Sequence, residues 1–300
     1  MLTRASAQDS STNYLTRTVQ LDEVVIRASR YDFDVEGFIK RVENDTSFYK
    51  AFKTLEILGF TASHEIRVFG PKGRIRASLE GTTEQVVQGG CRHNVFLDKK
   101  VTGDFYRRNG KYRYYTASMY GALFLSPDTI CGGNNLVQGG NGDIGTGGLS
   151  LEKHIRQLEI LVFDPGKPVP GIPLVGREVA IFNPSIEPRY DFSIRSGDYE
   201  GTPCWIFSAR CKPGMEHKVV IKNLVTYFDT ADYRILYRQY ALFYSNWLFD
   251  FDVNMEVRMT RFEGQTVPKE ILYQGNWGVP INKRERVHFD VKLSGFNKGT

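Results

Sequence analysis

What this 300-residue sequence lacks narrows its chemistry first. There is no run of about 18 apolar residues, so no segment reads as a helix crossing a bilayer. The four cysteines, Cys91, Cys131, Cys204 and Cys211, have no C-x-x-C spacing, which argues against a zinc ribbon or a thioredoxin-type redox motif. Cys204 and Cys211 bracket one predicted strand, Trp205 to Arg210. Their opposite parity and a separation of about 20 Å put them beyond disulfide reach. If a bridge forms, Cys91 with Cys131 is the better pairing, and buried free thiols are an equal alternative. The five histidines, His64, His93, His154, His217 and His288, are scattered with neither H-E-x-x-H nor metal-ligand spacing. No G-x-S-x-G elbow accompanies them. The chain therefore reads as non-enzymatic, with no cofactor and no metal expected.

Concentrated charge is also scarce. The net charge of +5 is spread along the chain. Its densest basic cluster is Lys283-Arg284-Glu285-Arg286, with a smaller one at Arg107-Arg108. A nucleic-acid binder gathers its charge into a stripe or a recognisable module, so nucleic acid is not an expected partner. A solvated basic surface is the simplest account, and an anionic membrane surface or lipid head group is a permissible partner.

What the sequence has is alternation. Phe249, Phe251, Val253, Met255, Val257 and Met259 alternate with Asp250, Asp252, Asn254, Glu256 and Arg258. A period of two puts the apolar residues on one face and the charged ones on the other. At about 3.4 Å per residue the run from Leu248 to Arg261 is about 40 Å long. The 20 Phe, 16 Tyr and 3 Trp suit pleated, half-buried surfaces. From Tyr190 to Phe296 six or seven antiparallel strands are expected. In the late ones Val267, Ile271, Tyr273 and Trp277 share a face, as do Val287, Phe289, Val291 and Leu293.

Upstream, Thr18 to Ala28 reads as a short strand. Asp34 can cap a helix running to about Leu55, which Asn44-Asp45-Thr46 can divide in two. Ile66–Val68 and Ile75–Leu79 flank a turn at Gly70-Pro71-Lys72-Gly73. Phe105 to Tyr120 reads as a hairpin closed at Arg108-Asn109-Gly110-Lys111. A second helix is expected from Ser150 to about Leu161. The fold class is mainly β (α+β): a large curved antiparallel sheet or half-barrel with one or two covering helices. Residues 1–17 read as a disordered tail or signal remnant, in which Ala5-Ser6-Ala7-Gln8 looks like the small-residue end of an export signal. Residues 18–300 form one β-rich domain, or two lobes, 18–130 and 150–300, joined by a glycine-rich loop at 131–148.

Two motifs are weaker than they look. Gly140-Asn141-Gly142-Asp143-Ile144-Gly145 fits G-x-G-x-x-G, but a dinucleotide site needs those glycines directly between a strand and a helix, inside a βαβ unit. Here an antiparallel meander follows, so a loop is expected. Asp250, Asp252 and Glu256 stand about 7 Å apart in a line open to acid/base pairs or calcium. The same alternation makes that face the solvent side, and solvated carboxylates are expected.

A family likeness lies in Tyr190 to Phe296. Cys204-Trp205-Ile206-Phe207, Val219-Val220-Ile221 leading to Thr226-Tyr227-Phe228-Asp229, and Tyr233-Arg234-Ile235-Leu236 carry it. Val267-Pro268 and Gly275-Asn276-Trp277-Gly278-Val279-Pro280 complete it. This third of the chain resembles the envelope proteins related to the lipoprotein carrier LolA and the acceptor LolB. Separately, Leu21-Asp22-Glu23-Val24-Val25-Ile26 looks like a segment that joins carboxypeptidase-regulatory-like modules to outer-membrane partners. The likeness implies a half-barrel with a helical lid, a hydrophobic cavity for acyl chains, and export to the periplasm or cell envelope. The expected ligand is a lipid or other hydrophobic molecule, with an envelope or outer-membrane protein as a further partner. Its candidate lining is Phe249, Phe251, Val253, Met255, Val257, Met259 and Trp277. Two other readings stay open: a scaffold module with a filled core, and a hydrolase using the acidic strand face.

Overall fold

The computed structural model describes residues 19–30, 33–125, 128–131, 165–166, 179–245, 250–279 and 282–300. The chain opens with β1 (Gln20–Leu21), α1 (Glu23–Arg30), α2 (Val35–Asn44) and α3 (Ser47–Thr54). Next come β2 (Leu58–Phe69), β3 (Ile75–Gln88), β4 (Cys91–Gly103), α4 (Tyr115–Phe124) and β5 (Ile130–Cys131). Seven strands complete the chain: β6 (Tyr190–Tyr199), β7 (Thr202–Cys211), β8 (Ile221–Asp229), β9 (Ile235–Ser245), β10 (Asp250–Phe262), β11 (Gln265–Val279) and β12 (Asn282–Lys298).

All twelve strands form one open sheet in the order β1-β6-β7-β8-β9-β10-β11-β12-β2-β3-β4-β5. The β1–β6 pair is parallel and the other pairs are antiparallel. The last strand closes back on the first hairpin: β12 pairs with β2, Val291 opposite His64. Residues from both ends of the sequence thus share one hydrogen-bonded surface. Pro268, which has no N–H to give a ladder, sits at the register shift between β10 and β11.

Alternation decides which face is dry. Along β12, Val287, Phe289, Val291 and Leu293 are buried while Arg286, His288 and Lys292 are exposed. The helices cover the dry face. Asp34 caps α2, its Oδ1 accepting from the Gly37 N–H at 2.8 Å. The helix then breaks at Asp45, whose extended backbone cannot continue it and whose Oδ1 accepts from the Ser47 N–H of α3 at 3.1 Å. Phe38 meets Phe228 of β8 edge-on at 5.5 Å, and Phe48 meets Tyr240 of β9 at 6.2 Å. Each such buried aromatic contributes about 1.5–3 kcal/mol. At the far end, Gln85 Nε2 donates to the carbonyls of Leu55 (2.6 Å) and Leu58 (2.7 Å), tying the end of α3 to β3.

The break in the helix is held by a buried cation. Arg238 of β9 reaches Asp45 Oδ2 with Nη2 at 3.4 Å, donates from Nε to Thr226 Oγ1 at 3.0 Å, and lies 4.5 Å from the Phe48 ring centroid.

Two expected elements differ. Thr18 to Ala28 is a strand only at Gln20–Leu21, and α1 comes next. Asp22 causes the switch: its Oδ1 accepts from the Val25 N–H at 2.7 Å, while Oδ2 accepts from the Ser196 N–H of β6 at 2.8 Å. The hairpin expected over Phe105 to Tyr120 shrinks to a single bridge, Tyr106 to Tyr112, and the chain then enters α4. Its turn forms as expected, with Gly110 at φ 77° and the Arg107 N–H donating to the Lys111 carbonyl at 2.8 Å. Cys91 and Cys131 are joined in a disulfide that fixes β5 to β4, and Cys204 and Cys211 are free thiols. The glycine-rich loop beyond Cys131 and the helix expected at Ser150 to Leu161 lie outside the described residues.

Removing Arg238 leaves the Asp45 carboxylate, whose side chain is 12% exposed, without its buried cation. Arg238→Ala is expected to lower the unfolding free energy by about 3 kcal/mol, read as a shifted midpoint in urea with an unchanged slope.

Candidate ligand-binding site

The predicted lining residues within the described part all fall on the dry face. Phe251, Val253, Met255, Val257, Met259 and Trp277 are buried, and Phe249 lies outside the described residues. They touch one another and their neighbours. Phe251 lies between Tyr244 (5.9 Å) and Trp277 (5.1 Å), centroid to centroid. Tyr240 donates its hydroxyl to the Met255 sulfur at 2.8 Å, and Trp277 Nε1 donates to the Tyr273 hydroxyl at 2.6 Å.

The acidic line on the opposite face is occupied in other ways. Asp250 accepts both its contacts from Arg284 Nη2 at 2.7 Å, Glu256 accepts from the Tyr237 hydroxyl at 2.8 Å, and Asp252 is exposed. Burial and the Glu256 carboxylate together push the Tyr237 phenol up, which keeps it a donor.

α4 is the element that sequence reasoning missed. It is apolar almost all round. One side, with Ala117, Tyr120 and Phe124, packs on the sheet; Tyr120 meets Phe289 at 4.7 Å. Its N-terminus is capped from 170 residues away: Glu285 Oε1 accepts from the Tyr115 N–H at 2.7 Å. Glu285 Oε2 accepts from the Thr116 N–H at 2.9 Å and from its hydroxyl at 3.2 Å. Burial raises the Glu285 pKa, and these three hydrogen bonds pull the other way. His64 of β2 adds a second anchor, contacting the Tyr120 hydroxyl through Nδ1 and Thr83 Oγ1 through Nε2 at 2.6 Å. Neutral imidazole satisfies both, one nitrogen accepting and the other donating.

The other side of α4 faces a pocket of about 640 Å³. Its walls are Phe96 and Lys99 of β4, Tyr106 and Tyr112 of the turn, and Tyr115 and Ser118 of α4. Gly121 makes the close wall possible, because a Cβ there would run into the Tyr112 ring. Tyr115 also meets Trp277 edge-on at 6.4 Å, so one wall residue touches the predicted apolar face, whose own residues do not line the pocket. Arg107, Lys111 and Arg113 line its rim. The signal was in the sequence: between Lys99 and Arg113 stand six Lys and Arg against one Asp, interleaved with tyrosines.

No family model and no curated protein matches the chain. Among solved structures it is similar to a domain from Vibrio parahaemolyticus named for outer membrane lipoprotein sorting. That match has 8% identity, 83% of this chain and 92% of the other covered, and a TM-score of 0.28. It is similar also to a DUF1329 family protein from Desulfovibrio piger, with 12% identity, coverage of 84% and 94%, and a TM-score of 0.25. At these TM-scores the likeness carries no argument about function, which has to be read from the residues themselves.

Glu285→Ala removes the cap of α4. It is expected to cost about 1–2 kcal/mol and to speed amide exchange in residues 115–124 before the rest of the sheet. A second measurement isolates His64. Burial lowers its pKa from 6.5 to about 4, so the folded state binds fewer protons than the unfolded one between those values. The stability held by neutral His64 is present above pH 6.5 and lost as pH falls toward 4. Across that window the wild type is expected to lose up to about 3 kcal/mol that His64→Gln does not lose, seen by comparing the two urea titrations pH by pH.

Proposed function

We propose that this chain is a non-enzymatic binding protein of the cell envelope, taking a lipid, an acyl chain or another hydrophobic ligand at the dry face of its sheet. One observation carries the reading: over an open sheet of twelve strands lie short helical pieces, and beside α4 is an aromatic-walled pocket of about 640 Å³. That volume lies within the range of small-molecule sites, about 300–1,000 Å³. Tyr115 links the pocket to Trp277, and through it to Phe251, beyond which Val253, Met255, Val257 and Met259 continue the same buried face. Phe249 continues the same alternation. Unbranched Met255 and Met259 can repack around a chain more easily than branched residues.

The Cys91–Cys131 disulfide supports an oxidising compartment such as the periplasm. The non-enzymatic reading draws support from Asp250 and Glu256, whose carboxylates are engaged by Arg284 and Tyr237.

A scaffold role is the second reading, and β4 favours it. Among the described residues β5 pairs with β4 only at Cys91 and Arg92, and Val95, Leu97 and Val101 are exposed further along. An exposed strand edge of this kind is a template for another chain.

Protein purified without detergent and extracted with organic solvent is expected to release lipid in near-equal molar amount, identified by mass spectrometry. Recovery of no lipid, with a specific envelope protein retained on the folded chain, would turn the conclusion to the scaffold.

A further inference from the structure

The pocket beside α4 is not neutral. The Lys99 ammonium stands 4.5 Å from the Phe96 centroid and 4.6 Å from that of Tyr106, held over the wall by ring faces. Lys99, Arg107 and Lys111 have no carboxylate partner among the described residues. Arg113 shares the nearby carboxylate, Asp104, at 3.4 Å, but Asp104 is already engaged by Arg76 at 2.8 Å and by the Tyr114 hydroxyl. Those contacts, the Arg76 hydrogen bond first, hold the Asp104 pKa below the usual carboxylate range. Four cations therefore line the concave site, and the carboxylate beside them, Asp104, is already committed.

Like charges gathered in a cleft raise the local concentration of counter-ions. Guanidinium groups at its rim present paired donors that fit phosphate oxygens. Several cations around one cavity match a group with more than one anionic oxygen better than they match a single carboxylate. The flat walls of Tyr106 and Tyr112, whose centroids are 5.2 Å apart, suit the carbon part next to such a group.

The geometry points to a binding site for a phosphate-bearing headgroup of net negative charge, seated between Lys99, Arg107 and Lys111. That the headgroup belongs to a lipid rests on the function proposed above; the charge of the site does not. The cations named for substitution are exposed, so their removal leaves the core untouched.

Three probes test this: glycerol 3-phosphate by calorimetry, and co-sedimentation with vesicles of phosphatidylcholine alone or mixed with phosphatidylglycerol. The wild type is expected to bind the ester and the mixed vesicles, more weakly as salt rises, and to pass over phosphatidylcholine alone. The triple variant K99Q/R107Q/K111Q is expected to lose affinity roughly tenfold to a hundredfold. Arg108→Gln, an exposed neighbour outside the pocket wall, should change it little. Equal binding by wild type and triple variant, or equal binding to both vesicles, overturns the headgroup assignment and leaves the hydrophobic-ligand reading standing. Equal losses in Arg108→Gln and the triple variant also overturn it, since diffuse surface charge then accounts for the binding. Charge-dependent binding of glycerol 3-phosphate by protein that releases no lipid on extraction supports the pocket and overturns the lipid reading.

Discussion

A sheet with one dry face has to be covered, and every other feature of this molecule depends on how that is done. Alternation along β9 to β12 and β2 produces a continuous apolar surface, and a surface of that size is not left open to water. Burial is non-directional: it favours covering the face without saying where each cover sits. Position comes from polar groups set within the apolar surface. Arg238 fixes the break between α2 and α3, Gln85 the end of α3, and Glu285 with His64 the helix α4. Buried polar groups are costly unless satisfied, so each cover is stable in essentially one place.

That division explains what was legible in the sequence. The seven strands from Tyr190 onward, the β2–β3 turn at Gly70–Gly73 and the Asp34 cap are local patterns, and local patterns survive folding. The misread segments are those decided by a distant partner. Leu21 to Ile26 is apolar enough for a strand, but Asp22 is shared between the α1 N-terminus and Ser196 of β6. Tyr115 to Phe124 shows no helical stripe because it is apolar almost all round, and its capping carboxylate is Glu285, 170 residues on. Within the basic cluster Lys283 to Arg286, the informative residue is the acid.

The candidate site divides in the same way. The alternation of Phe251 to Met259 could be read directly, and the structure puts these residues in contact with Tyr240, Tyr244 and Trp277. The pocket could not be read so directly. Its cations are dense in sequence between Lys99 and Arg113, but they converge only because the turn folds back against α4, where Gly121 leaves room for the Tyr112 ring.

α4 stands between the two halves of the proposed site, and that placement constrains how a ligand with a charged head and an apolar tail can be held. Its sheet side touches the apolar face through Tyr120 and Phe124, and its opposite side helps to wall the basic pocket through Tyr115 and Ser118. In the proposed reading a head seated beside Lys99 would send its tail toward the dry face past the edge of this helix, where Tyr115 meets Trp277. The contacts that seat α4 therefore also seat that meeting point. Glu285 holds its N-terminus at that edge, while His64 holds Tyr120 one turn further in. The capping carboxylate and the basic pocket are thus joined through α4: Glu285 seats the helix whose Tyr115 and Ser118 help to wall the pocket.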